Sequence, residues 1–192
     1  MKLNPLLLSL TLIITTAVWG QEVPKTVSQN ILFEGGFQEN SNGTPVGWTA
    51  GGFAGGDQSN TVKTTEERDG NYVSLFIKSL DKGMFNLNLV EPVQLKSTWK
   101  ELLCSYDIRV FNFVQGPQGH HKPRMHLTFF DASGLELINT GVAVAGNLAD
   151  AWQTAERKVP IPAGAASVKV WFGTFSSSGQ LDFRNIYIAP LP

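Results

Sequence analysis

The sequence Ala166–Ile188, ASVKVWFGTFSSSGQLDFRNIYI, shows the clearest alternation of side chains in this chain. A period of two is typical of a β-strand that places one face on a core. The apolar set is Val168, Val170, Phe172 and Thr174, and the opposite set is Lys169, Trp171, Gly173 and Phe175. The Ser-Ser-Ser-Gly segment that follows predicts a turn joining two strands of a hairpin. Because solvent faces rarely carry such large rings, we expect the second face to be covered or to receive a flat apolar ligand.

The same pattern recurs along the rest of the chain and predicts the fold class. Further strands are predicted at Tyr72–Ile77, Met84–Val90, Leu102–Phe113, Arg124–Phe130, Leu135–Ile138, Val142–Val144 and Trp152–Ile161. No window shows a helical period beyond the first twenty residues, and Gly, Pro and Asn separate the strands. We therefore expect an all-β domain, a two-sheet antiparallel β-sandwich of the jelly-roll type, over residues 30–190.

The N-terminus has the features of a secretory signal peptide. A basic Lys2 precedes an apolar run at Leu6–Val18, and Val18-Trp19-Gly20 supplies a small-residue cleavage site. We therefore predict a signal peptide at 1–20 and a short lead-in at 21–29, with a retained membrane anchor as the alternative. The mature protein is expected to be secreted, periplasmic or at the cell surface, without a membrane span.

Charge and cysteine content exclude two classes of protein. Removing Lys2 from the 15 basic residues leaves 14 against 16 acidic ones, so the concentrated basic surface that nucleic-acid binding requires is not expected. Cys104 is the only cysteine, which excludes a disulfide framework. A chain of this length does not need one, because its core is large enough to stabilise it.

Five motifs in order resemble the galactose-binding-like β-jelly-roll family, and within it the carbohydrate-binding modules of the cellulose- and xylan-binding type. They are NILFEGGFQ from Asn30, PVGW ending at Trp48, RDGNYVSLFI from Arg68, the Trp152 segment leading into VPIPAGA, and LDFRNIYI from Leu181. The resemblance implies two facing antiparallel sheets, sugar binding in a cleft or at loop tips, and often a structural calcium ion.

The chain departs from that family where the calcium ligands would lie. Gln38 replaces the usual acidic residue, and Arg184-Asn185 replaces an acidic pair. Calcium prefers anionic oxygen ligands, and an arginine repels the cation. We therefore expect no cofactor and no metal site, with a weak calcium site at Gln38 and backbone carbonyls as the alternative. We predict that Arg184 pairs instead with Glu34 or Asp182.

The candidate binding surface combines aromatic rings with polar side chains. Sugars stack their C–H faces on aromatic rings and exchange hydrogen bonds with planar side chains. If strands Leu102–Phe113, Arg124–Phe130 and Val168–Phe175 are neighbours, one face unites the candidates. They are Trp171, Arg109, Phe111, His126, Arg124 and Phe175. The alternative is that a loop such as Gly51–Asn60 covers these rings, which would then serve packing only.

Other candidate chemistry is weaker. His120-His121 lacks a third metal ligand in sequence and is predicted to be surface loop, while Cys104 alternates with core residues. Trp48, Trp99 and Trp152 are predicted to pack at strand ends. Carboxylates at Glu66, Glu67, Asp69, Asp107 and Asp182 lie in no glycosidase motif. The sequence therefore favours non-catalytic polysaccharide binding, with a protein-interaction or envelope-structural role as the alternative and a polysaccharide-degrading enzyme less favoured.

Overall fold

The computed structural model describes residue 37 and the ranges 44–53, 60–68, 70–78 and 83–191. The predicted signal peptide and lead-in lie outside the described residues, as do Glu34 and Gln38. No helix among the described residues is long and apolar enough to cross a membrane.

Eleven strands in the described residues form two antiparallel sheets. They are β1 (Trp48–Phe53), β2 (Thr61–Thr65), β3 (Tyr72–Ile77), β4 (Met84–Leu89), β5 (Val93–Gln94), β6 (Glu101–Val114), β7 (Arg124–Phe130), β8 (Glu136–Val142), β9 (Gln153–Pro160), β10 (Ser167–Phe175) and β11 (Ser178–Leu191). The first sheet has the order β1-β4-β10-β7-β8, with β5 also paired to β10, and the second has the order β2-β3-β11-β6-β9. A 3₁₀ turn at Gly119–His121 precedes β7. The predicted β-sandwich is confirmed.

The core lies between the sheets and contains the predicted inward sets. Val168, Val170 and Phe172 of β10 are fully buried, as are Met125, Leu127 and Phe129 of β7 and Leu102, Cys104, Tyr106 and Ile108 of β6. The Tyr106 ring meets Phe172 edge-on with centroids 5.3 Å apart, and its hydroxyl donates to the Val142 carbonyl at 2.8 Å. Tyr106 therefore joins the two sheets by packing and by a hydrogen bond.

The predicted hairpin at Ala166–Ile188 is wrong. Strand β10 pairs with β4, β5 and β7, whereas β11 pairs with β3 and β6, so the turn carries the chain from one sheet to the other. Ser176 adopts a φ of 43° at this corner. Ser177 is buried there, donates to the Phe175 carbonyl at 2.7 Å and accepts from the Gly116 amide at 3.0 Å. These hydrogen bonds satisfy backbone groups at the turn, which in a hairpin would pair with the neighbouring strand.

Two smaller expectations also need correction. The two strands predicted at Leu135–Ile138 and Val142–Val144 are replaced by one strand, β8, which runs from Glu136 to Val142 and leaves out Leu135 and Val144. Part of the segment predicted as a loop, Gly51–Phe53, belongs to β1. Both differences arise because edge strands carry less apolar alternation than central ones.

Candidate functional site

The predicted binding residues divide between the two outer faces of the sandwich. Trp171 and Phe175 lie on β10, and Arg124 and His126 lie on β7, so these four share the outer face of the first sheet. Arg109 and Phe111 lie on β6 in the second sheet. The prediction that all six share one surface is therefore wrong. Strand β6 is not a neighbour of β7 or β10, because it pairs with β9 and β11.

On the first face, three rings form what we call the aromatic cluster: Trp171, His126 and Phe175. Trp171 and His126 are cross-strand partners whose rings stack with centroids 3.4 Å apart and planes 5° apart. Phe175 meets each of them edge-on at 5.9 Å. The contacts of Phe175 are of the favoured edge-to-face kind, whereas Trp171 and His126 lie directly face to face. The cluster is therefore a fixed platform in which Trp171 and Phe175 are half-buried.

Small and amide residues surround the aromatic cluster along the strand register. Trp171 lies between Asn88 of β4 and His126, while Gly173 lies between Asn86 and Arg124. Asn86 and Asn88 exchange two hydrogen bonds of 3.1 Å between their side-chain amides. Amides offer both donors and acceptors, as sugar hydroxyls require. Sequence reasoning missed these asparagines, although they alternate with core residues Phe85, Leu87 and Leu89.

His126 carries a buried nitrogen without a partner. Its side chain is 8% exposed, and Nε2 finds no hydrogen-bond partner among the described residues. Burial and the nearby Arg124 cation lower the pKa of His126 from 6.5 to about 3, although a hydrogen bond with Asn139 acts in the opposite direction. The imidazole is thus neutral at physiological pH. Since buried polar atoms are nearly always satisfied, the unpartnered Nε2 is an exception to that rule.

Arg124 is held against the same face by backbone carbonyls. Its Nε donates to the Lys122 carbonyl at 3.1 Å and its Nη2 to the Gly119 carbonyl at 2.9 Å. Its side chain crosses Gly141, where an added Cβ would lie 2.7 Å from the Arg124 Cδ. Burial lowers the pKa of Arg124. No carboxylate of the described residues lies within ion-pair distance of this guanidinium.

The second sheet carries a different arrangement, which we call the ion-pair cluster: Arg109, Arg184, Asp182, Asp107 and Glu67. Arg109 lies 2.8 Å from Asp182 and 3.2 Å from Glu67. Burial lowers the pKa of Arg109, but its hydrogen bonds and charge interactions with these two carboxylates raise it overall. The arginines here are neutralised within the protein.

Three rings surround the Arg109 guanidinium carbon, which lies 4.3 Å from the Trp152 centroid, 4.6 Å from Tyr72 and 5.4 Å from Phe111. The Arg184 guanidinium lies 4.1 Å from the same Trp152 ring. These are cation–π distances. Arg109 therefore belongs to the ion-pair cluster, with Phe111 beside it, and neither lies on the first-sheet face. The sequence placed Trp152 at a strand end but gave no sign of the two cations beside it.

Arg184 lies where the family resemblance implies an acidic calcium ligand, and its guanidinium faces two carboxylates. Arg184 lies 3.5 Å from Asp107 and 4.0 Å from Glu67, so a cation occupies the place next to the available carboxylates. The predicted Arg184–Asp182 pair is wrong, because Asp182 pairs with Arg109, and Glu34 lies outside the described residues. Among the residues described, no group of three or more His, Cys, Asp or Glu side chains is placed to hold a metal ion.

His121 also differs from its prediction as surface loop. It is buried, and its carbonyl accepts a hydrogen bond from the Thr174 hydroxyl, while His120 is exposed and contacts Phe175 at 5.9 Å. Cys104 is buried as predicted, and burial raises the pKa of its thiol to about 12. A thiol with that pKa is not a nucleophile at neutral pH.

Several solved structures share this architecture at low sequence identity. The enzymatically active domain of bacteriophage CBA120 tailspike protein 4 gives a TM-score of 0.61 at 14% identity, covering 84% of this chain and 21% of that chain. The CBM22-1 xylan-binding domain of Paenibacillus barcinonensis Xyn10C gives 0.56 at 14% identity, covering 85% and 95%. The carbohydrate-binding module CtCBM11 gives 0.51 at 13% identity, covering 76% and 89%.

This chain has the β-sandwich jelly-roll fold of those modules. Two of these three structures are carbohydrate-binding modules, and the third is an enzymatically active domain. The chain spans about a fifth of the solved tailspike domain and nearly the full length of the two modules. No protein-family model and no curated protein matches the sequence.

Proposed function

We propose that this protein is an exported, non-catalytic polysaccharide-binding module that binds through the aromatic cluster on the first sheet. The observation that carries the proposal is the Trp171–His126–Phe175 platform with an unpartnered Nε2 beside it. Half-buried rings offer stacking area, and His126, Arg124 and the asparagine amides offer hydrogen bonds to hydroxyls. The fold shared with carbohydrate-binding modules supports the proposal but does not identify a sugar.

A binding role is favoured over catalysis by where the carboxylates lie. Glycoside hydrolysis uses two carboxyl groups that flank the bond to be cleaved. Asp182 and Asp107 lie on the second sheet, where each is paired with an arginine. The aromatic cluster contains none. Incubation with a polysaccharide that binds should therefore release no reducing ends, and a release abolished by one Asp or Glu substitution would establish an enzyme instead.

Affinity electrophoresis against a panel of soluble polysaccharides tests the binding proposal. Trp171→Ala should weaken binding about tenfold, because a lost ring contact costs its stacking energy and its buried area. Trp152→Ala, on the opposite face, and Trp99→Ala, in the loop before β6, should bind like the parent protein. Near-ultraviolet circular dichroism would confirm that each variant is folded. If Trp152→Ala instead showed the loss of polysaccharide binding that is expected of Trp171→Ala, the binding site would be assigned to the second sheet.

One observation favours a protein partner as the second candidate. Leu135, Leu137 and Ile138 are exposed at or beside edge strand β8, and an apolar edge can pair with another chain. Light scattering after size-exclusion chromatography would detect such association. Self-association that Ile138→Lys abolishes, in a protein that binds no polysaccharide, would favour this role.

Export is proposed on the sequence pattern at 1–20. Mass spectrometry of the protein recovered from an expressing cell should give a mature N-terminus at Gln21. A product that keeps Met1–Gly20 in the membrane fraction would establish the retained anchor.

A further inference from the structure

The two outer faces differ in how their arginines are neutralised. On the second sheet, Arg109 and Arg184 lie within 4.0 Å of three different carboxylates. On the first sheet, Arg124 and Lys169 have no carboxylate at that distance among the residues described. Lys169 instead lies over the Phe130 ring at 5.3 Å. The aromatic cluster therefore lies on a face where Arg124 and Lys169 are not neutralised by a carboxylate of the described residues.

Arg124 is positioned to bind an anion. Two carbonyls fix its guanidinium through Nε and Nη2, and Nη1 has no hydrogen-bond partner in the described part of the chain. A guanidinium presents its N–H groups as a rigid planar fork that matches the two oxygens of a carboxylate. Partial burial without a counter-ion is costly, and a bound carboxylate would remove that cost.

The carboxylate must belong to a molecule that also fits the neighbouring rings. Trp171 and Phe175 offer area for the C–H face of a sugar ring, and the buried His126 Nε2 lacks a hydrogen-bond partner. Gly173 leaves the sheet surface between Asn86 and Arg124 without a side chain. A carboxylate attached to a sugar ring offers both an anion for Arg124 and a C–H face for the rings of Trp171 and Phe175.

We propose that the first-sheet face binds a polysaccharide of uronic acids, with Arg124 as the residue that binds the carboxylate. This inference rests on the proposed function and narrows its ligand to an acidic glycan. Lys169 supplies a second positive charge on the same face. It is aligned with Thr128, four residues from Arg124 along β7, which corresponds to roughly 13 Å. A polymer with repeated carboxylates can reach both cations.

The test compares each acidic polymer with its own neutral form. Alginate and polygalacturonate are measured by isothermal titration calorimetry beside their carboxyl-reduced derivatives, which keep the ring and linkage but lose the charge. The parent protein should bind at least one polyuronate about tenfold more tightly than its reduced form, because a charge-assisted hydrogen bond contributes that much. Equal affinity for the two forms would overturn the proposal and leave polysaccharide binding intact.

Variants locate the effect on Arg124. Arg124→Gln should lower the affinity for polyuronate about tenfold and leave the affinity for the reduced polymer unchanged. The polyuronate affinity of Arg124→Lys should lie between those of the parent protein and Arg124→Gln, since lysine keeps the charge but lacks the planar fork of N–H groups. Arg68→Gln, an exposed arginine elsewhere, is the matched control. Unchanged polyuronate affinity in Arg124→Gln would overturn the assignment.

Two remaining outcomes are also decisive. Dextran sulfate bound as tightly as either polyuronate, and released by 0.5 M salt, would reduce the face to a non-specific cation patch and overturn the proposal. Binding to no polymer, acidic or neutral, would overturn the proposed function as well. Failure of the narrower inference alone is therefore recognised by retained binding to neutral polymers.

Discussion

The Arg109 guanidinium donates from Nε to the Asp182 Oδ2 at 2.8 Å, and this carboxylate is fully buried on the outer side of the second sheet. The other oxygen of Asp182 accepts from the Ser74 hydroxyl at 2.7 Å and from the Gln180 amide at 2.8 Å. One carboxylate thus ties strands β3, β6 and β11 together. A buried charge is tolerated only with such complete pairing.

Asp182→Ala should lower the free energy of unfolding by about 3–5 kcal/mol, because it leaves the mostly buried Arg109 cation without its main partner. Glu67→Ala is the matched control, since it removes a more exposed partner of the same arginine and should cost less than about 1 kcal/mol. Urea denaturation measures both. Equal costs for the two variants would show that the buried pair is not stabilising.

The sequence predicts individual strands well because alternation is a local property. The predicted bounds of Tyr72–Ile77 and Arg124–Phe130 coincide with β3 and β7. The inward positions of β10 follow from the same pattern. A residue's face on its own strand therefore needs no knowledge of the rest of the fold.

The assignment of strands to sheets depends on pairing between distant segments of the chain. This is why the predicted six-residue site is divided between two faces in the structure. Arg109 on β6 and His126 on β7 both alternate with core residues, but they point away from the core on opposite sides of the sandwich. Either layer gives the same alternation. Ser176 and Ser177 were equally ambiguous, because Ser-rich turns suit both a hairpin and a crossing between sheets. Only pairing between distant strands distinguishes them.

Gly173→Ala should lower the free energy of unfolding by about 1–3 kcal/mol, as overpacked sites do. The added Cβ would lie 2.4 Å from the Phe85 carbonyl oxygen and 2.8 Å from the Asn86 Cβ, so β10 and β4 would have to separate beside Trp171. Polysaccharide affinity should fall as well. Gly119→Ala, where no neighbouring heavy atom lies within 4 Å, should change stability by less than about 0.5 kcal/mol. Thermal melts of both variants check this, and a neutral Gly173→Ala would refute the close approach of the two strands.

Tyr106→Phe should cost about 1–3 kcal/mol, because it leaves the Val142 carbonyl without the hydroxyl that satisfies it across the core. Burial raises the pKa of Tyr106, so the hydroxyl keeps its proton and remains a hydrogen-bond donor at neutral pH. Tyr72→Phe, on the outer face of the second sheet, keeps the ring that faces Arg109 and should cost less than about 0.5 kcal/mol. Urea denaturation at neutral pH compares them. A loss as small as that of Tyr72→Phe would mean that this bond does not contribute to joining the sheets.

Acidification should destabilise the protein through His126. Its pKa falls from 6.5 to about 3 on folding, so between those values the unfolded chain binds a proton that the folded chain does not. The free energy of unfolding therefore decreases as pH falls from 6.5, with a slope approaching about 1.4 kcal/mol per pH unit from this group. Carboxylates elsewhere titrate in the same range, so the measurement is the difference between the parent protein and His126→Phe, which keeps a ring against Trp171 but cannot take up a proton. Urea denaturation at pH 7, 6, 5 and 4 gives the free energy of unfolding of both proteins. The parent value minus the variant value should decrease steadily as the pH is lowered. A difference that stays constant would show that His126 is not held neutral against Trp171.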